Sequence, residues 1–207
     1  MSVPSYERDP AAIYAASFAT IEREAVLDRF DASEQAVAVR VIHACGMTDV
    51  AEQLHFAPGA AEAGRRALAS GAPVICDVEM VRHGIIRSRL PANNEVLCAL
   101  GEPDVSARAT AMGTTRTAAA LDMLRHRWGG AVVAIGNAPT ALFHLIEAVA
   151  GGAPRPALVV GMPVGFVGAV ESKEWLRSTD LAYATVTGRR GGSAMASAAV
   201  NALAGPR

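Results

Sequence analysis

The apolar residues of this chain change period about one third of the way along, and that change organises the expected fold. Up to Gly71 they recur at helical spacing. Asp9 followed by Pro10 predicts a helix start, an N-cap and then proline at the first helical position. Ile13, Tyr14, Ser17, Phe18 and Ile21 continue it as an i, i+3/i+4 stripe. Ser33, with Glu34 in the first turn, predicts a second helix. Its apolar run extends through 36–42 to Gly46, a residue suited to a left-handed helix end. Asp49 and Pro58 predict two short helices, DVAEQLHF and PGAAEAGRRAL, closed by Gly71, so the first third is expected to contain no strand.

Beyond Gly71 the texture becomes short apolar runs alternating with helical stretches. PVICDV, EVLCAL, GAVVAIGN, PALVVGMP and AYATVTG are rich in Val, Ile, Ala and Leu and bounded by Gly, Pro or Asn, as buried parallel strands are. Between or after them lie TTRTAAALDMLRHRW, PTALFHLIEAVAG, AVESKEWLRS and GGSAMASAAVNALAG, all of crossover length. The expected fold is α/β: a doubly wound, mainly parallel sheet with helices on both faces and a helical N-terminal third, in one domain spanning 1–207. Ligands of such sheets bind beyond the carboxyl ends of the strands. Those ends read 77–79, 136–140, 161–165 and 187–193 here. They are glycine-rich, and three of the four lack acidic residues, so their amides are expected to favour an anion.

Charge and composition narrow the function. The net charge of −1 indicates neither a nucleic-acid surface nor an acidic tail. No apolar run is long enough for a membrane span, and the start MSVPSYERDP has no secretory h-region, so a cytoplasmic protein is expected. Three widely spaced cysteines, Cys45, Cys76 and Cys98, read as buried reduced thiols and not as a disulfide framework or a zinc site. Lys173 is the sole lysine; every other basic side chain is arginine, whose planar fork suits carboxylates. A GC-rich coding sequence gives the same bias and is the larger cause.

Motifs remove several chemistries. There is no GxGxxG after a strand, no GxxxxGK[ST], no HExxH, no CxxC and no GxSxG, which excludes the dinucleotide, P-loop, common metal and serine-hydrolase signatures. His83 and His126 read as solvated or helix-end residues, His144 as a packing residue of a crossover helix, and His55 as surface or packing. His43 differs in setting. It ends an apolar helical run three residues after Arg40, so the two side chains share a face and can meet one ligand. There the helix dipole favours the imidazolium while desolvation and Arg40 oppose it, the kind of balance proton transfer at neutral pH requires. A histidine so placed is either a hydrogen-bonded core residue or a proton-transfer group, and pattern alone favours the former. Ser17 has two readings as well: a hydroxyl bonded back to its own helix, which pattern favours, or a ligand contact.

Five strings, VRVIHACGMTD, PVICDVEMVRHGI, AIGNAPTALFHLIE, VVGMPVGFVGAVESKEWL and TGRRGGSAMASAAVNAL, in this order and at these separations, resemble the precorrin-8X methylmutase family of cobalamin biosynthesis. The resemblance covers nearly the whole chain, from about Tyr14 to Leu203. It implies an isomerase that moves a methyl group from C-11 to C-12 of precorrin-8X to give hydrogenobyrinic acid, a 1,5-sigmatropic shift needing no cofactor, metal or external methyl donor. It also implies His43 as proton donor or hydrogen-bond partner to the macrocycle, Ser17 and Arg40 as substrate contacts, and a homodimer. Arg116 and Arg189 are further substrate-binding candidates, because the ring carries several acid arms. The alternatives are the cobalt-precorrin-8 methylmutase of the anaerobic pathway, a corrin-binding carrier without catalysis, and a generic nucleotide-binding α/β enzyme. No nucleic-acid or membrane partner is expected.

Overall fold

A computed structural model describes residues 5–205; the remaining residues of the 1–207 span, 1–4 and 206–207, with the first part of MSVPSYERDP, lie outside the described residues. Its centre is a six-stranded sheet in the order β1-β6-β5-β4-β2-β3. The strands are β1 (Leu54–Phe56), β2 (Val74–Cys76), β3 (Val96–Leu97), β4 (Val132–Ile135), β5 (Leu158–Gly161) and β6 (Tyr183–Val186). All neighbours are parallel except β1, which runs antiparallel along the edge of β6. The expected mainly parallel, doubly wound sheet is therefore present. Strand order reverses once, between β2 and β4.

Burial explains the layering. Alternate strand residues face opposite sides, as the pleat requires. Val74, Val132, Ala134, Leu158, Val160 and Ala184 join one apolar cluster, and Ile75, Val133, Ile135 and Val159 join another. The first is covered by α2 (Ala32–Cys45), α4 (Ala60–Ala69), α5 (Glu79–Gly84) and α10 (Ser193–Leu203), with α1 (Pro10–Glu24) lying outside α2. The second is covered by α7 (Arg116–Met123), α8 (Pro139–Ala150) and α9 (Ala169–Ser178). Two further short helices, α3 (Val50–Gln53) and α6 (Val105–Met112), complete the set.

The helix signals act largely as expected. The Asp9 carboxylate accepts from the amides of Ala11 and Ala12, with Pro10 at the first position. The start of α2 lies slightly earlier than Ser33: Asp31 is the N-cap and forms a reciprocal capping box with Glu34. Gly46 ends α2 at φ 70°, the left-handed conformation a side chain would strain.

Four expectations require correction. The first third does contain a strand: the predicted helix DVAEQLHF stops at Gln53, and Leu54–Phe56 pair with Val186–Ala184. Pairing satisfies the edge of β6, a demand that comes from residues about 130 positions away and is invisible to local periodicity. The fourth helix begins at Ala60 behind a left-handed Gly59, not at Pro58. The stretch 114–128 does not form one helix; α7 ends at Met123 and a separate 3-10 turn spans Arg125–Arg127. Of the three cysteines only Cys76 is fully buried, although all three are free thiols.

Candidate active site

The sequence-selected residues Ser17, Arg40 and His43 converge where α1 crosses α2. Tyr14, Ser17 and Phe18 are spaced i, i+3 and i+4 on α1, so one face of that helix presents all three to α2. Ser17 Oγ lies 2.8 Å from His43 Nδ1. The imidazole also meets the Tyr14 ring at 5.2 Å and the Phe18 ring at 5.4 Å between centroids. Arg40, one turn before His43, donates to the Tyr14 hydroxyl, and its guanidinium sits 5.4 Å from both the Tyr14 and Phe18 ring centroids.

Two of the expectations for these residues change. His43 is exposed and not a core residue of the apolar run; α2 buries Val37, Ala38, Val39, Val41 and Ile42 on its other face. The Ser17 hydroxyl binds across to the neighbouring helix instead of to its own backbone. With Nδ1 engaged by Ser17, Nε2 is the ring nitrogen left to meet a ligand.

His43 and Arg40 line a cleft of about 480 Å³ with Tyr14, Ala44, Met80, Gly84, Ile86 and four residues of α10. Apart from the two bases, the tyrosine and Ser197 and Asn201, its walls are small or apolar. Close packing makes the cleft possible: a Cβ on Gly84 would stand 2.4 Å from Ser197 Oγ, so α5 approaches α10 only because that position is glycine. Asn201 fixes the wall, its side chain accepting from the Ile86 amide at 2.8 Å and donating to the Gly84 carbonyl at 2.9 Å. A larger cavity of about 930 Å³ adjoins the first and shares Tyr14 and Arg40 with it.

One strand end departs from the expectation of an open anion rim. At the reversal between β2 and β4, Asp77 accepts from the amides of Gly136, Asn137 and Ala138 at 3.0, 2.8 and 2.9 Å. The anion position at the start of α8 is thus filled by the protein's own carboxylate. Burial pushes the Asp77 carboxyl above its ordinary value, and the three amide bonds hold that rise down. At the next turn, buried Lys173 donates to the Arg190 carbonyl at 2.7 Å and so fixes the loop 187–192 that precedes α10.

Arg116 and Arg189 line neither cavity. Arg116 donates to the Leu100 carbonyl at 3.4 Å, and Arg189 lies 5.3 Å from the Phe166 ring centroid. His144 has the packing role expected of it, bonded to Asp122 at 2.9 Å and set edge-on to Trp128. His83 and His126 are exposed, as expected. Burial pushes Cys98 up to about 11 and Cys76 well above its ordinary value, so both thiols are poor nucleophiles. Among the described residues no cluster of three or more His, Cys, Asp or Glu could hold a metal ion, and no helix is long and apolar enough to cross a membrane. Sequence reasoning counted Tyr14 only as part of the apolar stripe and missed Asn201. The latter carried a signal, being the one amide in a helix of otherwise small and apolar residues.

Fold and site together define an α/β protein with a solvent-open imidazole and a guanidinium above an apolar floor. The family model described as precorrin-8X methylmutase matches residues 12–205. A precorrin-8X methylmutase from Pseudomonas aeruginosa is 59% identical over 204 residues, covering 98% of each chain. A cobalt-precorrin-8 methylmutase from Priestia megaterium is 36% identical over 195 residues, covering 94% of this chain and 87% of that one. The crystal structure of a precorrin-8x methyl mutase from Thermus thermophilus superposes with a TM-score of 0.86 at 41% identity, covering 94% of both chains. The chain belongs to the precorrin-8X methylmutase family, a family of isomerases in cobalamin biosynthesis.

Proposed function

We propose that this protein converts precorrin-8X to hydrogenobyrinic acid by moving a methyl group from C-11 to C-12 within the ring, the whole 1–207 chain serving as one catalytic domain. The carrying observation is that His43, its Ser17 partner and Arg40 converge at one cleft whose other walls are mainly apolar. The shift is intramolecular: the bond from the methyl carbon to C-11 breaks, its bond to C-12 forms, and no atom is gained or lost. It draws on no cofactor. The protein therefore has to hold a large, flat polyacid in register, keep water from the reacting face and supply a proton or hydrogen bond where charge develops.

In this reading His43 Nε2 meets the macrocycle near the migrating centre, while Ser17 fixes the tautomer and ring orientation through Nδ1. Ser17 thus acts through the histidine, a change from the direct substrate contact that resemblance implied. Arg40 receives an acid arm and is oriented by Tyr14. The apolar floor of Met80, Ile86, Ala194 and Ala198 accepts the ring face. Arg116 and Arg189 stay as outer candidates for other arms. A second copy of the chain would complete the site in a homodimer; the partly exposed α1 face, with Ile13 at 47%, supports such covering. The location is proposed to be cytoplasmic.

Purified protein mixed with precorrin-8X should change its absorbance spectrum while the mass of the tetrapyrrole stays constant. Uptake of the ring without conversion would instead establish the carrier reading. Loss of Arg40, as in Arg40→Met, is expected to weaken binding more than turnover. The cobalt-containing substrate is the second reading. The 59% identity to a precorrin-8X enzyme against 36% to a cobalt-precorrin-8 enzyme favours the metal-free ring, and side-by-side kcat/KM values on both substrates decide between them.

A further inference from the structure

Two cysteines that the methyl shift does not use stand side by side at the carboxyl ends of β2 and β3. The parallel register pairs Val74 with Val96 and Ile75 with Leu97, and one more residue along each strand sets Cys76 opposite Cys98. Their side chains share one face of the sheet. Val74, Cys76 and Val96 belong to one apolar cluster and Cys98 packs against it, whereas the intervening Ile75 belongs to the cluster on the other face. Neighbouring strands lie about 4.8 Å apart, inside the Cα separation of about 4.4–6.8 Å that a disulfide spans. Both thiols are free, Cys76 buried and Cys98 partly exposed.

Helix α5 connects this pair to the His43 cleft. Its first residue, Glu79, has its carboxylate beside the Cys98 thiol and 2.9 Å from Arg82 Nη1. Arg82 Nε in turn donates to the Val96 carbonyl of β3 at 3.2 Å. Met80 and Gly84 of the same helix line the cleft. A shift at the end of β3 is therefore handed through Glu79 and Arg82 to a wall of the site. On the β2 side, Asp77 directly follows Cys76 and holds the amides of Gly136, Asn137 and Ala138.

We propose that Cys76 and Cys98 form a reversible oxidation site: a peroxide converts them to a disulfide that draws the ends of β2 and β3 together and displaces α5 at the cleft. The more exposed Cys98 sulfur attacks one peroxide oxygen as its proton passes to the Glu79 carboxylate. The O–O bond breaks, hydroxide leaves and recovers that proton as water, and Cys98 becomes a sulfenic acid. The Cys76 thiol then attacks the Cys98 sulfur; the S–O bond breaks, a second water leaves and the S–S bond forms. Two thiols are oxidised and the peroxide is reduced to two waters. Closing the bond brings the Cβ atoms to about 3.8 Å, a movement of about 1 Å from strand spacing. Burial raises both thiols, with Asp77 and Glu79 adding to the rise and Arg82 opposing it at Cys76, so the first step is slow at neutral pH and quickens as pH climbs.

The test treats the intact protein with hydrogen peroxide at about pH 9, removes the excess, then unfolds and alkylates the chain. Only Cys45 should take the label. The peptides carrying Cys76 and Cys98 should run as one species, lighter by two hydrogens, until dithiothreitol separates them. Cys45→Ser should still cross-link, whereas Cys98→Ser and Cys76→Ala should not. Oxidised protein should convert precorrin-8X about ten- to a hundredfold more slowly and return to within about twofold of its starting rate on reduction. Peroxide should leave Cys98→Ser within about twofold of its own rate, because its hydroxyl still has a proton for Glu79 and no link can form. Label on all three cysteines, or oxygen added to Cys98 without a link to Cys76, overturns the site. A cross-link with unchanged turnover overturns its coupling to the cleft, as does an equal loss of turnover in Cys98→Ser. The rate effect rests on the proposed function and the cross-link does not: reduced protein that never converts precorrin-8X removes that function and the rate effect with it, while the mass still decides the cross-link.

Discussion

His43 and His144 stand on helices that cover opposite faces of one sheet, each among apolar neighbours, and they have opposite fates. His144 is largely covered, its side chain 19% exposed, with its Nε2 on the buried Asp122 carboxylate. Arg108 also bonds that carboxylate, and Arg125 approaches it at 3.9 Å. Burial works against the Asp122 charge, but the Arg108 and His144 bonds outweigh it and hold the carboxyl below its ordinary value. His43 instead has a neutral hydroxyl on one nitrogen and an open cleft beside it. His144, on a buried carboxylate that Arg108 also holds, lines neither cavity and so serves the fold. His43, held by a serine at a cleft wall, is oriented yet still has a nitrogen to offer.

That contrast breaks most easily at the two imidazoles themselves. His43→Ala should lower kcat about a hundred- to ten-thousandfold while leaving the melting temperature nearly unchanged, since the side chain is exposed. A His43→Ala protein turning over at the intact rate would end its catalytic assignment. His144→Ala should do the reverse: normal turnover per folded molecule and a loss of about 1–3 kcal/mol in denaturant unfolding. The Asp122 network adds an acid limb to stability. Because the folded carboxyl titrates below its unfolded value, its contribution is present above the unfolded value and fades as pH falls through the folded one. Asp122→Asn should remove that limb from unfolding curves.

Smaller effects sharpen the comparison further. Ser17→Ala removes one neutral hydrogen bond to His43 and should cost about two- to tenfold in kcat, with a displaced pH–rate profile and little change in KM. Unaltered kcat and profile with a raised KM would return Ser17 to direct substrate contact. Lys173 of α9, bonded to the Arg190 carbonyl of the loop that precedes α10, provides the mildest probe. Burial holds its ammonium down to about 8 against 10.5 ordinarily. The folded state therefore sheds this proton first, and stability should rise as pH climbs from about 8 toward 10.5. Lys173→Met should flatten that slope.

The two faces also differ in how far the chain's own pattern revealed them. The β-branched runs at 74–76, 132–135 and 158–161 and the caps at Asp9 and Gly46 were legible because strand alternation, capping and helix termination are local. The pairing of Arg40 with His43 was legible for the same reason, three residues being one helical turn. Leu54–Phe56 was misread because its partner strand lies at the far end of the chain. The amides at 136–138 looked free in sequence, and only the fold brings Asp77 onto them.

By itself, the sequence determined most of the helices and strands, Leu54–Phe56 and the break after Met123 excepted, together with the doubly wound class, the family and the identity of the imidazole and guanidinium on offer. Tertiary structure alone decided which histidine stays available, that Ser17 bonds His43 and not its own helix, and that the site opens among α1, α2, α5 and α10 and not at the strand reversal. The physical reason is range. Propensity, capping and side-chain periodicity act within a turn or two of chain, whereas burial, charge pairing and the filling of an anion site depend on groups that only folding brings within hydrogen-bonding distance.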